Sequence, residues 1–347
     1  MTAPEPIEFY GAPASPYTRK MLAIMRYRRI PYSMLWGNGQ TLPEGYPAPK
    51  VMLLPTFFFP NANGDLEAVT DSTPIIRQLE KMSQGRSVIP SNPVLAFLNY
   101  LIEDYADEWL TKAMMHYRWA YEDDIKHAGE YLVYMSIPTI DRQSAENLSK
   151  VFSDRQTGRL SVVGSNETTK ETIESSYRRL ATILDKLIET NRFIFGARPA
   201  SADFALYGQL TQLAIIDPTP AAEMRKLSLR VRGWLDTSED LSGLSPSEED
   251  WLTPSQNAEK LRPLLEEIGR VYAPFLVANA AAHARGEKTV ETEIDARPWM
   301  QATFPYQAKC LNWIRHEYSA LSQSDRARVD DIMAGTGCEV LVEESSQ

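Results

Sequence analysis

The chain has 347 residues, 43% of them hydrophobic and 24% charged, with a formal net charge of −10. That length points to two domains rather than one core, and the acidic balance excludes nucleic acid and anionic membrane as main partners. No apolar run approaches the ~20 residues of a membrane span, and MTAPEPIEF has neither the basic nor the apolar region of a secretory leader, so a cytoplasmic protein is expected.

Residues 7–10 read as a strand, 11–14 as a turn and 16 onward as a helix. Proline suits a first helical turn, which makes Ser15 the natural N-cap, and Met21, Leu22 and Met25 follow at helical spacing. A hydroxyl there sits among unpaired N–H groups at the positive end of the helix, a place suited to an anion. Taken alone, Ser15 reads as a cap. Residues 31–36 form a second strand, and 37–50 (GNGQTLPEGYPAPK) a glycine- and proline-dense loop with room for one helical turn at most. In the next strand region, 51–60, Pro55 fits only at the strand's start, where a cis bond would be a deliberate feature. Asn63-Gly64 signals a hairpin into a strand over 65–69. A helix then opens at Thr70 or Asp71 and runs through Met82, burying Ile75, Ile76, Leu79 and Met82.

Residues 84–93 (QGRSVIPSNP) are the first convincing linker, and beyond them the chain reads as helical. One long amphipathic helix is expected over 94–120. A less regular stretch over 122–166 holds a helix near 142–152. Helices follow at 168–190, ending at Asn191, and at 202–216, 261–278, 306–321 and 324–334, with a charged loop at 286–297. Cys310 and Cys338 cannot frame a disulfide network or a zinc site and are expected as free thiols. The histidines at 116, 127, 283 and 316 are scattered. The acidic group Glu103, Asp104, Asp107 and Glu108 reads as a solvated helix face rather than a metal site. There is no phosphate-binding loop, dinucleotide fingerprint or nucleophile elbow. No metal is expected.

The strand–helix opening with SPYTRK, Leu54-Pro55 ahead of a strand, and Asp71-Ser72 in TDSTPIIRQLE together resemble the glutathione transferase superfamily. FGARPASADFALYGQL over 195–210 is similar to that family's signature in its second domain. The resemblance implies an α/β thioredoxin-like N-terminal domain over 1–83, a linker over 84–93, and an all-α C-terminal domain over 94–347 that is extended after about 217. It implies glutathione as cosubstrate. Ser15 would activate the thiol, Leu54 before cis-Pro55 would pair with the peptide backbone, and Asp71 and Ser72 would take the γ-glutamyl end. Lys50 is a candidate for the glycine carboxylate. Tyr10, Trp109, Met114, His116, Tyr117 and Trp119 are candidates for the electrophile site, and Tyr10 and Tyr17 are rival thiol activators. Three departures stand out: the 37–50 loop replaces a helix, the second-domain capping box has Ala200 where Ser or Thr is usual, and residues 217–347 extend well beyond a typical member of the family.

The resemblance implies a serine-type transferase or lyase that activates the glutathione thiol for attack on a small hydrophobic electrophile in detoxification, as a cytoplasmic homodimer. The alternative is a non-catalytic binding or assembly module of the same fold, for which the altered loop and the extension speak.

Overall fold

The computed structural model describes residues 5–39 and 41–343. Residues 1–4, Gln40 and 344–347, which belong to the expected N-terminal domain, the 37–50 loop and the expected C-terminal domain, lie outside the described residues. The chain begins with β1 (Ile7–Gly11), α1 (Pro16–Arg28), β2 (Tyr32–Trp36), β3 (Thr56–Pro60), β4 (Leu66–Val69) and α2 (Ser72–Met82). The four strands form one mixed sheet in the order β2-β1-β3-β4, with β1 parallel to β2 and antiparallel to β3. Phe9 and Phe57 stack across β1 and β3 at 4.3 Å between ring centroids, and α1 buries Met21, Leu22, Ile24 and Met25. This is a thioredoxin-like α/β sheet, as the strand and helix order predicts. The Leu54-Pro55 bond is cis.

The helical region opens with α3 (Pro93–Glu108) and α4 (Leu110–Ala120). They replace the single helix expected over 94–120. The cause lies at the Asp107 carbonyl, which a continuous helix would offer to the Thr111 N–H. It accepts instead from the hydroxyls of Tyr17, at 2.8 Å, and Thr111, at 2.7 Å. The chain then forms α5 (Glu122–Ser136), α6 (Arg142–Thr157), α7 (Lys170–Thr190), α8 (Ser201–Thr211), α9 (Pro218–Leu227) and α10 (Leu229–Ser238). Thus two regular helices fill much of the stretch read as irregular. α8 passes into a π-turn at Gln212–Ile216. It lies so close to α1 that a Cβ on Gly208 would sit 2.4 Å from the Pro16 carbonyl oxygen.

The remainder comprises α11 (Pro254–Glu267), a π-turn at Ile268–Tyr272, α12 (Ala273–Ala284), β5 (Thr289–Ile294), β6 (Arg297–Ala302), α13 (Pro305–Ser319) and α14 (Gln323–Met333). The hairpin β5–β6 corrects both the all-α reading of this region and the loop expected at 286–297. Its two-residue turn carries φ of 53° at Asp295 and 56° at Ala296. Such a turn usually announces itself with glycine or asparagine, and Ala296 hides it. Cys310 and Cys338 are buried free thiols. Among the described residues no helix is long and apolar enough to cross a membrane.

The capping of α8 settles the departure at Ala200. Asp203 keeps its half of the box, accepting from the N–H groups of Ala200 and Ile194, each at 2.8 Å. The N–H of Ala202 donates to Oδ1 of Asn99 on α3 at 2.9 Å. A neighbouring helix supplies the cap that the missing hydroxyl would have given.

Candidate active site at the start of the first helix

Ser15 caps α1, its Oγ accepting the Thr18 N–H at 3.2 Å. Its own hydroxyl proton finds no acceptor among the described residues, so it can serve an anion placed at the helix N-terminus. Beside it lies a cavity of about 360 Å³ lined by Ala12, Ala14, Ser15, Asn38 and Leu54 on one side. The other side is largely apolar and comes from α4, α5 and α6, with Met115, Trp119, Leu132, Val133, Val151 and Phe152 prominent. Arg118 also lines the cavity. It donates to Asp217 at 2.8 and 3.0 Å, to Gln212 at 2.8 Å and to the carbonyl of Ala14 at 3.1 Å. The carbonyl before Ser15 is therefore hydrogen-bonded to an arginine that is itself held in a buried ion pair in the helical region.

Of the residues considered for the electrophile site, the structure places Trp109, Met114, His116 and Tyr117 in the helical core and not on this cavity. Trp109 donates to Ser176 at 2.8 Å, His116 lies between Ser165 at 2.8 Å and Glu174 at 3.1 Å, and Tyr117 donates to Glu223 at 2.8 Å. Met114 is buried. Trp119, also among the residues considered, lines the cavity, joined by Met115 and Arg118 of the same helix. Tyr10 is buried at the end of β1, where its hydroxyl accepts from Gly39 N–H at 2.9 Å. Tyr17 gives its hydroxyl to the Asp107 carbonyl, and burial followed by the Glu108 charge holds its phenol well above the usual tyrosine range. Both rival activators are thus engaged elsewhere.

Lys50 is exposed in the segment before β3 and does not line the cavity. Asp71 caps α2 with a φ of 80°, its Oδ1 accepting from Thr73 N–H at 3.3 Å. A non-glycine residue in that region stores strain, a feature found preferentially at functional sites. Ser72, next to it, accepts a 3.0 Å bond from Lys20 of α1, which leaves its hydroxyl proton free to donate. Asp71 and Ser72 do not line the cavity.

The acidic group on α3 is not a solvated face. Lys20 binds Glu103 at 2.7 Å and Asp107 at 2.5 Å, Tyr272 donates to Asp104, and Gln307 donates to Glu108 at 3.0 Å. Helix α1 and the start of α8 cover Glu103 and Asp107, and segments after residue 250 cover Asp104 and Glu108. Burial first, and then the Asp104 charge, push the Glu108 carboxyl up to about 8, and burial pushes Asp104 up to about 7. Lys112, one turn on, is itself pushed down to about 7 by burial. Unfolded carboxyls titrate near ~4, so the folded chain holds protons that the unfolded chain has lost. The stability contributed by these two carboxyls therefore falls as pH rises from about 4 to about 8. Glu108→Gln removes its share, so its stability relative to the parent should improve by up to about 1.4 kcal/mol per pH unit across that window. Urea denaturation at several pH values checks this; a difference independent of pH would show that Glu108 ionises as an ordinary carboxyl.

The sheet, the cis bond ahead of β3 and the capped start of α2 define a thioredoxin-like domain joined to a helical region. Residues 9–87 match the family described as glutathione S-transferase, N-terminal domain. Similar solved structures include a glutathione S-transferase from Methylobacterium radiotolerans in complex with glutathione sulfonate. It is 15% identical, with a TM-score of 0.40, over 70% of this chain and 99% of that one. Another, from Rhodospirillum rubrum, is 15% identical with a TM-score of 0.41, over 72% of this chain and 98% of that one. A tau class glutathione S-transferase from mango is 14% identical with a TM-score of 0.38, over 74% of this chain and 97% of that one. No curated protein sequence matches the chain.

Proposed function

We propose that the protein is a serine-type glutathione-dependent transferase or lyase acting on a small hydrophobic electrophile. The observation that carries this reading is Ser15, with an uncommitted hydroxyl proton at a helix N-terminus, on the wall of a largely apolar cavity that also receives Leu54. Glutathione would lie with its thiol at Ser15 and its cysteinyl backbone along Leu54, as an added strand would. Its γ-glutamyl end would lie at Asp71 and Ser72. The thiol gives its proton to water. The thiolate then attacks a carbon centre of the electrophile held against Met115, Trp119 and Phe152, forming the C–S bond as the leaving group, halide in an aryl halide, departs with its electron pair. Holding both reactants in one cleft supplies proximity, and the lowered thiol pKa supplies the nucleophile. The reading includes domains at 1–83 and 94–347, a cytoplasmic setting, detoxification and a homodimer. Retention on immobilised glutathione together with turnover of a generic aryl halide tests it.

A second reading, a non-catalytic module of the same fold, is favoured by Lys50, which stands exposed away from the cavity and leaves the glycine end without its expected cation. Retention on glutathione with no turnover of any electrophile class would select it.

Asp71→Ala is expected to weaken glutathione binding roughly tenfold to a hundredfold, because a charged hydrogen-bond partner is worth about 1.5–3 kcal/mol. Calorimetric titration measures this, and circular dichroism verifies that the variant is folded. Unchanged affinity would place glutathione elsewhere on the chain.

A further inference from the structure

Asp71 is tied to the far end of the chain. Its Oδ2 accepts the phenol proton of Tyr306 at 2.8 Å, across 235 residues. Tyr306 stands in the first turn of α13, and its position is fixed from several sides. Asn279 of α12, fully buried, donates to the Phe304 carbonyl and accepts from the Phe304 N–H, both at 2.9 Å. The Tyr306 ring meets Trp313 edge-on at 5.7 Å and Phe304 at 6.2 Å. Gln307, the next residue, donates to the carboxylate of Glu108 at 3.0 Å. The phenol is therefore presented to Asp71 by a braced segment, the arrangement that makes a contact geometrically reliable.

We propose that Tyr306 is a binding and positioning residue for the γ-glutamyl ammonium, so that the C-terminal extension completes the glutathione site within one chain. This rests on the glutathione reading given above. An ammonium brings three N–H donors and needs acceptors arranged around it. The Asp71 carboxylate has about four acceptor positions, of which Thr73 and Tyr306 occupy two. The Tyr306 oxygen, having given its proton to Asp71, keeps lone pairs of its own. Carboxylate and phenol oxygens are thus aligned by one another, and both are left able to accept from the same cation. Nearby Ser72, with its free hydroxyl proton, and the N-terminus of α2 suit the accompanying carboxylate. The pair defines a subsite for a zwitterionic amino-acid head, and it discriminates against peptides whose α-amino group is missing.

Tyr306→Phe removes one hydroxyl and keeps the ring against Phe304 and Trp313. Calorimetric titrations of the parent and this variant would use glutathione and its analogue lacking the α-amino group. The variant should lose roughly tenfold or more in affinity for glutathione and little for the analogue. Melting curves of the two proteins establish that both are folded. Equal losses for the two ligands, or no loss for either, would overturn the role of Tyr306 and leave it a strut between α13 and α2. A parent chain that binds neither ligand overturns the glutathione reading itself, and the subsite with it.

Discussion

Lys20→Met is expected to destabilise the protein by about 3–5 kcal/mol, the cost of stranding a buried charge without its partner. The Lys20 ammonium is buried, and it lies within 3.0 Å of Ser72, 2.7 Å of Glu103 and 2.5 Å of Asp107. Burial acts to lower it, and the Asp107 and Glu103 charges more than reverse that, holding it above the usual lysine range. One positive charge faces two negative ones, and the carboxylates divide accordingly. Despite burial, Lys20 keeps Glu103 below the usual glutamate range. Burial pushes Asp107 up to about 6 against the pull of the same lysine. Methionine keeps most of the length and none of the charge, leaving two carboxyls face to face in the interior. Chemical denaturation measures the loss. The triple variant Lys20→Met, Glu103→Gln, Asp107→Asn should recover much of it, since neutral groups of the same shape carry no stranded charge. A single-variant loss below about 1 kcal/mol, the value of an exposed pair, would show that water reaches the site.

The second large effect concerns Ser15. A free thiol titrates near ~8.5, so lowering it by two units requires about 2.7 kcal/mol in favour of thiolate. One hydroxyl donor to a charged acceptor supplies roughly 1.5–3 kcal/mol, and the helix N-terminus adds about 0.3–1 kcal/mol. The hydroxyl is the larger contribution. Ser15→Ala should raise the bound thiol's pKa by at least about one unit while glutathione affinity stays near that of the parent. Ultraviolet titration of the thiolate reads this directly. Alanine also removes the cap on α1, at about 0.5–2 kcal/mol, whereas glycine at an N-cap costs only a few tenths. Ser15→Gly and Ser15→Ala should therefore shift the thiol alike but differ in melting temperature. With Tyr10 and Tyr17 both engaged in the fold, an unshifted thiol would leave the helix N-terminus as the activator.

The sheet and its two helices were legible because each boundary there carries its own local chemistry. Ser15 before Pro16, Asp71 before a helix and Asn63-Gly64 between strands are signals read over a few residues, and the elements begin and end beside them. The helical region offered less. Helix α4 is apolar or buried on nearly every side, from Leu110 and Ala113 through Met114 and Tyr117 to Trp119. Periodicity alone does not say which of its faces meets the cleft, so it cannot separate Trp119, which lines the cavity, from Met114 and Tyr117, which do not. The break before α4 depends on the Tyr17 hydroxyl reaching Asp107, a contact across 90 residues. The hydrogen bond from Tyr306 to Asp71 spans 235. Contacts of that range leave no trace in local spacing. The acidic run on α3 reads as a solvated face for the same reason, because the groups that cover it, Lys20 on one hand and Tyr272 and Gln307 on the other, lie far away in the chain.

Helix α1 belongs equally to both parts of the molecule. One side closes over the sheet, while the other abuts Gly208 and sends Lys20 to Glu103 and Asp107. The two parts are thus interlocked rather than modular. Residues 1–83 expressed alone would present an unneutralised lysine and a bare seam. A chimera grafting this sheet onto another helical partner must reproduce two carboxylates and a glycine at matching places.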